Sequence, residues 1–390
     1  MRIVPLVVVA LLLLPSAASA VEAAPVNDDF ADAIDLNAIG AGVFVEGVNV
    51  AATKETNEPN HAGNAGGHSV WYTWTAPGDG SVPHVAIQVF GQFDTLLGVY
   101  TGAAVDMLTE VASNDDVGFG GSSVSFATTP GTVYRVAVDG FGGKTGRLSL
   151  VWNEAPVNDN FAEAIVLAGA AGSRTGDTTQ GATIEPGEQD FFDTGTSIWY
   201  SWTPPVDGTY KISTFGSRFD SVMAVYEGSS LEALELLRFN DDDPDRGCCS
   251  SWIPLVDAQA STTYRIQVAA LDFVPGPLTL SWGPLILGNA SANTLTGTAA
   301  AEEIRARAGN DVVIAAGGSD IIFGGRGNDD LRGGGSADFV FDRSGLDVLA
   351  GNSGADTLDA RDRIGRDRLL GGPGADVCRA DPGDVRRACP

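Results

Sequence analysis

The chain has 390 residues, with 50 acidic against 23 basic residues and a formal net charge of −27. Residues 21–287 hold 34 acidic and 10 basic residues, whereas residues 288–390 hold 16 and 12, so the acidity is concentrated in the first part. This negative charge argues against nucleic acid or an anionic membrane as a partner. The length is enough for two or three domains.

The first twenty residues are typical of a secretory signal peptide. Arg2 provides the positive start, residues 3–14 are apolar, and residues 18–20 read Ala-Ser-Ala, a small-residue cleavage site. No later segment has the ~18 consecutive apolar residues of a membrane-spanning helix. The sequence therefore predicts a secreted protein, free or associated with the cell surface, without a membrane span.

Residues 25–153 and 156–283 are two copies of one module. The matching segments are 27–34 with 158–165, 71–75 with 199–203, 93–94 with 219–220, and 114–116 with 240–242. Each copy opens with an Asn/Asp cap that predicts a short amphipathic helix, at 30–36 and at 161–167. Short alternating runs such as 133–138 follow between Gly, Pro and Asn/Asp turns, and they predict an all-β sandwich.

The order of the N-D-D-F, W-Y-x-W, F-D, Y-x-G and N-D-D motifs resembles the bacterial pre-peptidase C-terminal domain, a jelly-roll-like module found beside secreted enzymes. The resemblance implies an accessory role, such as binding a matrix protein or polysaccharide, sometimes with calcium. Trp71, Trp74, Trp199 and Trp202 are interpreted as packing on both faces of one strand in each copy rather than as a ligand platform.

Both modules also contain acidic loops. Residues 114–116 and 240–243 offer calcium ligands, although a solvated turn is the favoured interpretation. Asp94 and Asp220, each directly after a phenylalanine, are interpreted as turn or strand-end residues.

A nine-residue period begins after residue 288. Oxygen-bearing side chains occupy ten consecutive positions of this period, with one two-residue insertion, at Asn293, Glu302, Asp311, Asp320, Asp329, Asp338, Asp347, Asp356, Asp367 and Asp376. Residues 324–332 match the nonapeptide G-G-x-G-x-D-x-U-x, in which U is a large apolar residue. The U positions are Leu295, Ile304, Val313, Ile322, Leu331, Val340, Leu349, Leu358, Leu369 and Cys378. The period predicts short strands with inward U side chains, joined by glycine turns whose carbonyls, together with the carboxylates, suit Ca²⁺.

These units resemble the RTX or haemolysin-type calcium-binding repeats, a parallel β-roll in which two nonapeptides form one turn. The resemblance implies about five turns over residues 288–377, with Ca²⁺ as the cofactor between same-side loops of successive turns. The highest-ranked pairs are Asp320 with Asp338, Asp338 with Asp356, and Asp311 with Asp329. The full predicted ligand set is Asp311, Asp320, Asp329, Asp338, Asp347, Asp356, Asp367 and Asp376, with Gly318, Gly325, Gly327, Gly334, Gly354, Gly372 and Gly374.

Some loops of the period are degraded. They lead into Asn293, Glu302 and Asp347, and residues 342–344 have lost two glycines. Gly-Asn-Asp and Gly-Ala-Asp are also ordinary turn sequences. However, carboxylates about 5 Å apart on adjacent turns would repel by roughly 1 to 3 kcal/mol per pair without a cation. We therefore expect residues 288–377 to fold only with millimolar Ca²⁺.

The four cysteines, Cys248, Cys249, Cys378 and Cys389, allow three pairings. We expect a Cys378–Cys389 bridge that folds the tail, residues 378–390, over the open end of the roll. For the adjacent Cys248 and Cys249, a vicinal bridge, two thiols and a link between chains all remain open.

Catalytic residues are hard to find in this sequence. The three histidines, His61, His68 and His84, all lie in the first module, have no counterparts in the second, and are interpreted as loop histidines on a solvent face. No metalloprotease, hydrolase-elbow or zinc-site motif occurs. We expect a calcium-binding structural or adhesive protein and not an enzyme. The alternative is a secreted hydrolase with an unrecognised active site in the sandwich loops.

Overall fold

The computed structural model describes residues 23–116, 120–191, 194–245, 249–271, 274–364 and 366–389. Within these ranges the chain is all-β, with two β-sandwiches followed by a parallel β-solenoid, as the sequence predicts. The helical segments given by the structure are 3-10 turns of three residues, at Phe30–Asp32, Leu36–Ala38, Val105–Met107, Phe141–Gly143, Phe161–Glu163 and Leu231–Ala233. No helix in the described residues has the length and apolar character needed to cross a lipid bilayer. The predicted signal peptide, residues 1–20, and Cys248 lie outside the described residues.

The first sandwich consists of nine strands in two sheets. They are β1 (Ile34–Asp35), β2 (Val45–Val48), β3 (Val70–Thr75), β4 (His84–Gly91), β5 (Thr95–Thr101), β6 (Thr109–Asn114), β7 (Ser122–Ala127), β8 (Val133–Gly140) and β9 (Arg147–Glu154). One sheet has the order β1-β3-β8-β5-β6 and the other β2-β9-β4-β7. Trp74, Ile87 and Leu150 come from both sheets and share one buried core, so the two sheets face each other.

The second sandwich repeats this arrangement. Its strands are β10 (Ile165–Leu167), β11 (Gly172–Thr178), β12 (Ile198–Trp202), β13 (Gly208–Ser213), β14 (Ser221–Glu227), β15 (Glu235–Asn240), β16 (Trp252–Ala258), β17 (Tyr264–Ala270) and β18 (Pro277–Leu287). One sheet has the order β10-β12-β17-β14-β15, and in the other β11 and β13 flank β18, with β16 beside β13. The internal duplication of the sequence is therefore a duplication of the fold.

The paired tryptophans of β3 and β12 lie on opposite faces of their strands, which confirms the packing interpretation. Trp74 belongs to the inter-sheet core, whereas Trp71 packs on the outer face of the sheet with Phe30 and Tyr100. All four tryptophans are fully buried. A side chain with no exposed surface cannot act as a ligand platform, so these residues stabilise the sandwiches.

The predicted helices at the start of each module are wrong. Phe30–Asp32 is a single 3-10 turn, and the next residues form β1, which pairs in parallel with β3. The N–H of Phe30 donates to Glu55 Oε2 at 2.6 Å instead of to a local cap. A helix of this length is marginal in water, so pairing with a buried strand outweighs the local signal. The second copy has the same turn and strand at Phe161–Glu163 and β10.

The solenoid adds eleven short strands. They are β19 (Thr294–Thr296), β20 (Glu303–Ala308), β21 (Val312–Ile314), β22 (Ile321–Arg326), β23 (Asp330–Gly335), β24 (Phe339–Phe341), β25 (Val348–Ser353), β26 (Thr357–Asp359), β27 (Arg368–Leu370), β28 (Val377–Arg379) and β29 (Val385–Arg387). Successive strands alternate between two parallel sheets, and partners such as Val313 and Leu331 are eighteen residues apart. The U side chains from Ile304 to Leu369 are fully buried between the two sheets.

The solenoid has six strands on each face, about one turn more than the repeats predict. The additional strands come from outside residues 288–377. At one end, Leu285–Leu287 of β18 pairs in parallel with Glu303–Arg305, so the second sandwich and the roll share one continuous sheet. At the other end, β29 in the tail pairs with β27.

A disulfide joins the tail to the last turn of the roll. The structure contains the expected disulfide between Cys378 and Cys389, which links β28 on one face to the residues that follow β29 on the other. Cys249 is exposed, and since Cys248 lies outside the described residues, the alternatives for these two cysteines stay open.

Candidate metal centre

The aspartates of the nine-residue period form two ladders along the roll. In each ladder the backbone N–H of one residue donates to Oδ1 of the aspartate one turn later. The three highest-ranked pairs are brought together in this way, with N–Oδ1 distances of 2.8 Å for Asp311–Asp329 and 2.9 Å for both Asp320–Asp338 and Asp338–Asp356. The same bond joins Asn293 to Asp311, Glu302 to Asp320, Asp329 to Asp347, Asp347 to Asp367, and Asp356 to Asp376.

In most ladder aspartates the second carboxylate oxygen has no donor among the described residues. Among the described residues, buried Oδ2 atoms without a hydrogen-bond partner occur at Asp311, Asp320, Asp329, Asp338, Asp342, Asp356, Asp367 and Asp376. The exposed fractions of these residues do not exceed 3%. A buried, unpaired carboxylate is costly, and a hard cation with oxygen ligands removes that cost. The residues therefore fit Ca²⁺, whose charge would offset the repulsion between successive turns when it is bound.

The same burial raises the pKa values of several ladder residues. Burial, together with repulsion from Asp338 and Glu302, raises the pKa of Asp320 to about 7. Burial and the neighbouring carboxylate of Asp356 raise the pKa of Asp338 to about 6. Without a cation the roll therefore holds protons at a pH where exposed aspartates are ionised, so calcium binding would release protons.

The predicted ligand glycines lie where one loop stacks on the loop before it. Gly318, Gly325, Gly327, Gly334, Gly354 and Gly372 have positive φ angles, whereas Gly374 is not among the positive-φ residues. A Cβ on Gly327 would lie 1.7 Å from the carbonyl oxygen of Gly309, and one on Gly374 would lie 1.5 Å from that of Gly354. Only glycine allows this approach of backbone carbonyls between turns.

The structure also brings a residue to the ladder that is not in the predicted ligand set. Asp342 lies in the loop that the sequence marks as degraded, yet it is buried with Asp329 and Asp347, and one ligand atom from each of the three lies within 4.8 Å of the others. Asp342 occupies a glycine position of the repeat, so a search for the period cannot find it. The signal available in the sequence was an acidic residue at a position where the repeat has glycine.

A second missed residue is Asp384 in the tail. Its Oδ1 accepts the backbone N–H of Asp367 at 3.0 Å, and it thereby occupies the next place in the ladder. Asp384 lies seventeen residues after Asp367 rather than eighteen, so it falls outside the period. The partner of Leu369 on β29 is Arg386, so the apolar U signal is also lost there.

The acidic loops differ between the two sandwiches. In the first, Asp94, Asp115 and Asp116 place ligand atoms within 4.8 Å of one another, and Lys144 Nζ lies 3.6 Å from Asp94 Oδ2. Asn114 Oδ1 accepts the N–H of Ser123, which supports the turn interpretation. As predicted, Asp94 directly precedes β5, and Asp220 directly precedes β14.

In the second sandwich, the corresponding loop contacts the roll. Asp243 pairs with both terminal nitrogens of Arg305 at 3.0 Å. Arg305 also stacks on Trp252, with 3.7 Å from Cζ to the ring centre, and donates to Glu303. This loop is part of the junction between sandwich and solenoid.

The interpretation of His61 as a solvent-facing histidine is wrong. Its side chain is fully buried, with Nε2 2.8 Å from Glu58 Oε1 and Nδ1 2.8 Å from the hydroxyl of Tyr100. The loop folds over the outer face of the sheet and covers Trp71. Although burial alone would raise the pKa of Glu58, hydrogen bonds from His61 and Ser69 lower it.

The other histidines also have partners. His68 Nδ1 lies 2.6 Å from the carbonyl oxygen of Ala52, and His84 Nε2 lies 3.1 Å from Glu163 of the second module. In the second copy, Gln267 takes the place of His61, because it joins the hydroxyl of Tyr226 to Glu188. Within the described ranges Glu188 has no basic partner, and burial raises its pKa to about 8.

Comparison with known proteins identifies the solenoid repeats. A family model for the RTX calcium-binding nonapeptide repeat matches four copies, at residues 287–322, 296–331, 332–362 and 363–384. The C-terminal part of the chain is therefore built from RTX calcium-binding repeats folded as a β-roll. The resemblance of residues 25–153 and 156–283 to the pre-peptidase C-terminal domain stays a prediction.

Whole-chain similarity is weak. No curated protein matches the chain significantly. Among solved structures, tripeptidyl peptidase 2 shows 10% identity and a TM-score of 0.17, over 62% of this chain and 23% of its own length. An uncharacterized protein from Burkholderia cenocepacia shows 8% identity and a TM-score of 0.19, over 61% of this chain and 80% of its own. At these TM-scores neither likeness bears on fold or function.

Proposed function

We propose that this chain is an exported calcium-binding protein with a structural or adhesive role. Ca²⁺ binds between successive turns of the roll, at the ladder aspartates and the carbonyls of the glycine loops, and orders the solenoid. The ladder of buried carboxylates with unpartnered Oδ2 atoms carries this proposal. Its support comes from the RTX repeats, whose sequence type is calcium-binding. The apparent signal peptide supports export to an extracellular medium, where calcium is abundant.

The sandwiches are proposed to bind a matrix protein or a polysaccharide. The support is the resemblance to the pre-peptidase accessory domain and an exposed aromatic pair on the first sandwich. Phe44 and Phe90 are 56% and 52% exposed, with ring centres 6.1 Å apart. Exposed aromatic pairs of this kind suit stacking against sugar rings or protein side chains.

We also propose that the chain is not an enzyme. Of its three histidines, His61 has both ring nitrogens in hydrogen bonds and no exposed surface, so it cannot contact a substrate without a rearrangement of its loop. A hydrolase panel with the purified protein tests this proposal. Turnover that copurifies with the protein and disappears on mutation of one sandwich loop would favour the secreted hydrolase instead.

Calorimetric titration tests the calcium proposal. The mature protein is compared with a chain that ends at Leu287, because β18 extends to Leu287 and a shorter chain would cut a strand of the second sandwich. We expect the mature protein to bind several Ca²⁺ ions and the shortened chain to bind almost none. Retention of most binding by the shortened chain would place the calcium sites in the sandwiches and overturn the assignment.

A pull-down with immobilised polysaccharides and matrix proteins tests the sandwich proposal. Replacing Phe44 and Phe90 together by serine removes the exposed pair, and Met107→Ser is the matched control, since Met107 is 69% exposed elsewhere on the same module. Loss of retention in the double variant alone supports binding at the aromatic pair. Equal retention of all three proteins would contradict it.

A further inference from the structure

The loop at residues 342–344 lacks the first two glycines of the repeat, and an aspartate replaces the first of them. Asp342 lies where most repeats have their first glycine, eighteen residues after Gly324. In neighbouring repeats this position has no room for a side chain, because a Cβ on Gly333 or Gly351 would lie 2.3 Å from Oδ2 of the repeat's own aspartate. The chain therefore places a carboxylate where the adjacent repeats have glycine and where earlier repeats have alanine, as at Ala306 and Ala315.

The Asp342 side chain points towards the preceding turn. Its Oδ1 accepts the N–H of Ser344 at 3.0 Å, which leaves Oδ2 for another partner. That atom and Asp329 Oδ2 both lie over Gly324, where an added Cβ would be 1.9 Å from the first and 2.7 Å from the second. Both oxygens are buried and have no hydrogen-bond partner among the described residues.

Asp347 adds a third carboxylate to this pair. One ligand atom each from Asp329, Asp342 and Asp347 lies within 4.8 Å of the others, and each residue is at most 2% exposed. In the described part of the chain none of the three forms an ion pair with an arginine or lysine. Elsewhere on the described roll the ladder does not gather three carboxylates in this way.

We propose that Asp342 converts the ladder position of Asp329 and Asp347 into a three-carboxylate site, which holds Ca²⁺ more tightly than the ladder positions with two carboxylates. The inference rests on the proposed calcium binding of the roll and adds a specific site to it. Ligand charge is a main determinant of calcium affinity, and buried oxygens without donors need a cation. The apparent degeneration of this loop is thus a gain of a ligand.

Two substitutions separate this proposal from simple degeneration of a repeat. Asp342→Asn removes the charge with little change of shape, and Asp342→Gly restores the repeat consensus. If the loop were merely degenerate, Asp342→Gly would improve calcium binding, whereas the three-carboxylate site predicts that both variants lose affinity. Asp330→Asn is the matched control, because Asp330 belongs to the same roll but pairs with the exposed Arg332.

The experiment is a calorimetric Ca²⁺ titration of the mature protein and the three variants, with circular dichroism at saturating Ca²⁺ to verify folding. We expect one ion in the unmodified protein and in Asp330→Asn to bind at least about 10-fold more tightly than the rest. That class should be absent from Asp342→Asn and Asp342→Gly. Tb³⁺, whose charge three carboxylates balance, should displace Ca²⁺ from this site first.

The possible results distinguish failure of the three-carboxylate site from failure of the proposed calcium binding. If the unmodified protein binds several ions in one affinity class that Asp342→Asn leaves unchanged, calcium binding stands and the three-carboxylate site is overturned. The three-carboxylate site is also overturned if Asp342→Gly tightens calcium binding. It is likewise overturned if the three carboxylates share a proton and the Asp342 variants bind as many ions as the unmodified protein. If the unmodified protein binds no Ca²⁺, both the site and the proposed function fail.

Discussion

The sandwiches and the roll are both all-β, but different interactions hold them together. Each sandwich encloses a broad apolar core around a buried tryptophan, Trp74 in one copy and Trp202 in the other. The roll has a narrow core, to which most strands contribute one aliphatic U side chain, and beside that core lie rows of buried carboxylates. We therefore expect hydrophobic burial to be the main source of stability in the sandwiches, and the roll to depend on neutralisation of its buried carboxylates.

Net charge does not reveal this difference. Most of the excess acidity lies in residues 21–287, yet the ladders of buried carboxylates lie in the nearly balanced residues 288–390. An exposed carboxylate is screened by water, whereas a buried one requires a partner. The placement of carboxylates relative to solvent therefore decides where a cation binds.

The largest expected effect is the removal of calcium. Each site occupied at about 100 times its Kd adds about 2.7 kcal/mol to the free energy of unfolding, so several sites dominate the stability of the roll. At pH 8, scanning calorimetry should show a roll transition that disappears in chelator and a sandwich transition that persists. The chain ending at Leu287 should show only the sandwich transition, at a lower temperature because this chain lacks Arg305, the partner of Asp243. Loss of both transitions in chelator would contradict the difference between the sandwiches and the roll.

The second prediction concerns the cores. Trp74→Ala should lower the free energy of unfolding of the first sandwich by ~3–5 kcal/mol, because it leaves a large cavity. It should leave the calcium titration unchanged, whereas Leu331→Ala in the roll should weaken calcium binding, since folding and binding are coupled there. Phe44→Ala, at an exposed site, is the control and should change stability by about 0.5 kcal/mol or less. Altered calcium binding in Trp74→Ala would show that the core of the first sandwich and the calcium sites of the roll are not independent.

The third prediction concerns the junction. Arg305→Ala removes the arginine that pairs with the buried Asp243 and Glu303, which should cost ~3–5 kcal/mol. We expect this cost in the transition of the second sandwich and in the calcium needed to order the roll, both measured by calorimetry. Arg332→Ala removes an exposed pair and should cost at most about 1 kcal/mol. If Arg305→Ala affected only one region, the shared sheet would not couple them.

The smallest expected effect is on pH dependence. Burial raises the folded-state pKa of Asp320 to about 7 and that of Asp338 to about 6, from an ordinary 3.8. Their protonated forms favour the folded state, so in chelator the roll should show a melting transition at pH 5 that is lost as the pH rises above 7. In Ca²⁺ the trend should reverse, because only ionised carboxylates bind the metal.

The sandwich supplies the control for this prediction. Burial also raises the pKa of Glu188 to about 8, so the chain ending at Leu287 should lose stability with rising pH in the same direction. That trend should be identical with and without Ca²⁺. Melting temperatures at pH 5 and 8 with Ca²⁺ or chelator test both statements, and a reversal in the shortened chain would contradict them.

Periodicity made much of the roll predictable. The nine-residue spacing determines which side chains face inward and which aspartates stack, so the buried U positions and the pairs Asp311–Asp329 and Asp320–Asp338 follow from the sequence. Asp342 and Asp384 were missed because they lie outside the period. Their positions depend on how neighbouring turns stack, which a one-dimensional pattern does not contain.

The sandwiches were predictable in class but not in detail. Runs of alternating apolar and polar residues indicated the strands. The helix expected after Asp29 is absent, because pairing of β1 with β3 overrides the local helix propensity. The burial of His61 likewise depends on a loop that folds over Trp71. Long-range contacts determine both features, and no short segment of sequence records them.

The strand shared by the second sandwich and the roll has a kinetic consequence. The first turn of a solenoid is the hardest to form, because it closes without a neighbour to pair with. Here β18 already presents Leu285–Leu287 as a template for β20. Growth of the roll should therefore start at the sandwich and proceed turn by turn towards the tail. The Cys378–Cys389 bridge then closes the end that forms last, so the roll begins on a preformed strand and ends at a disulfide.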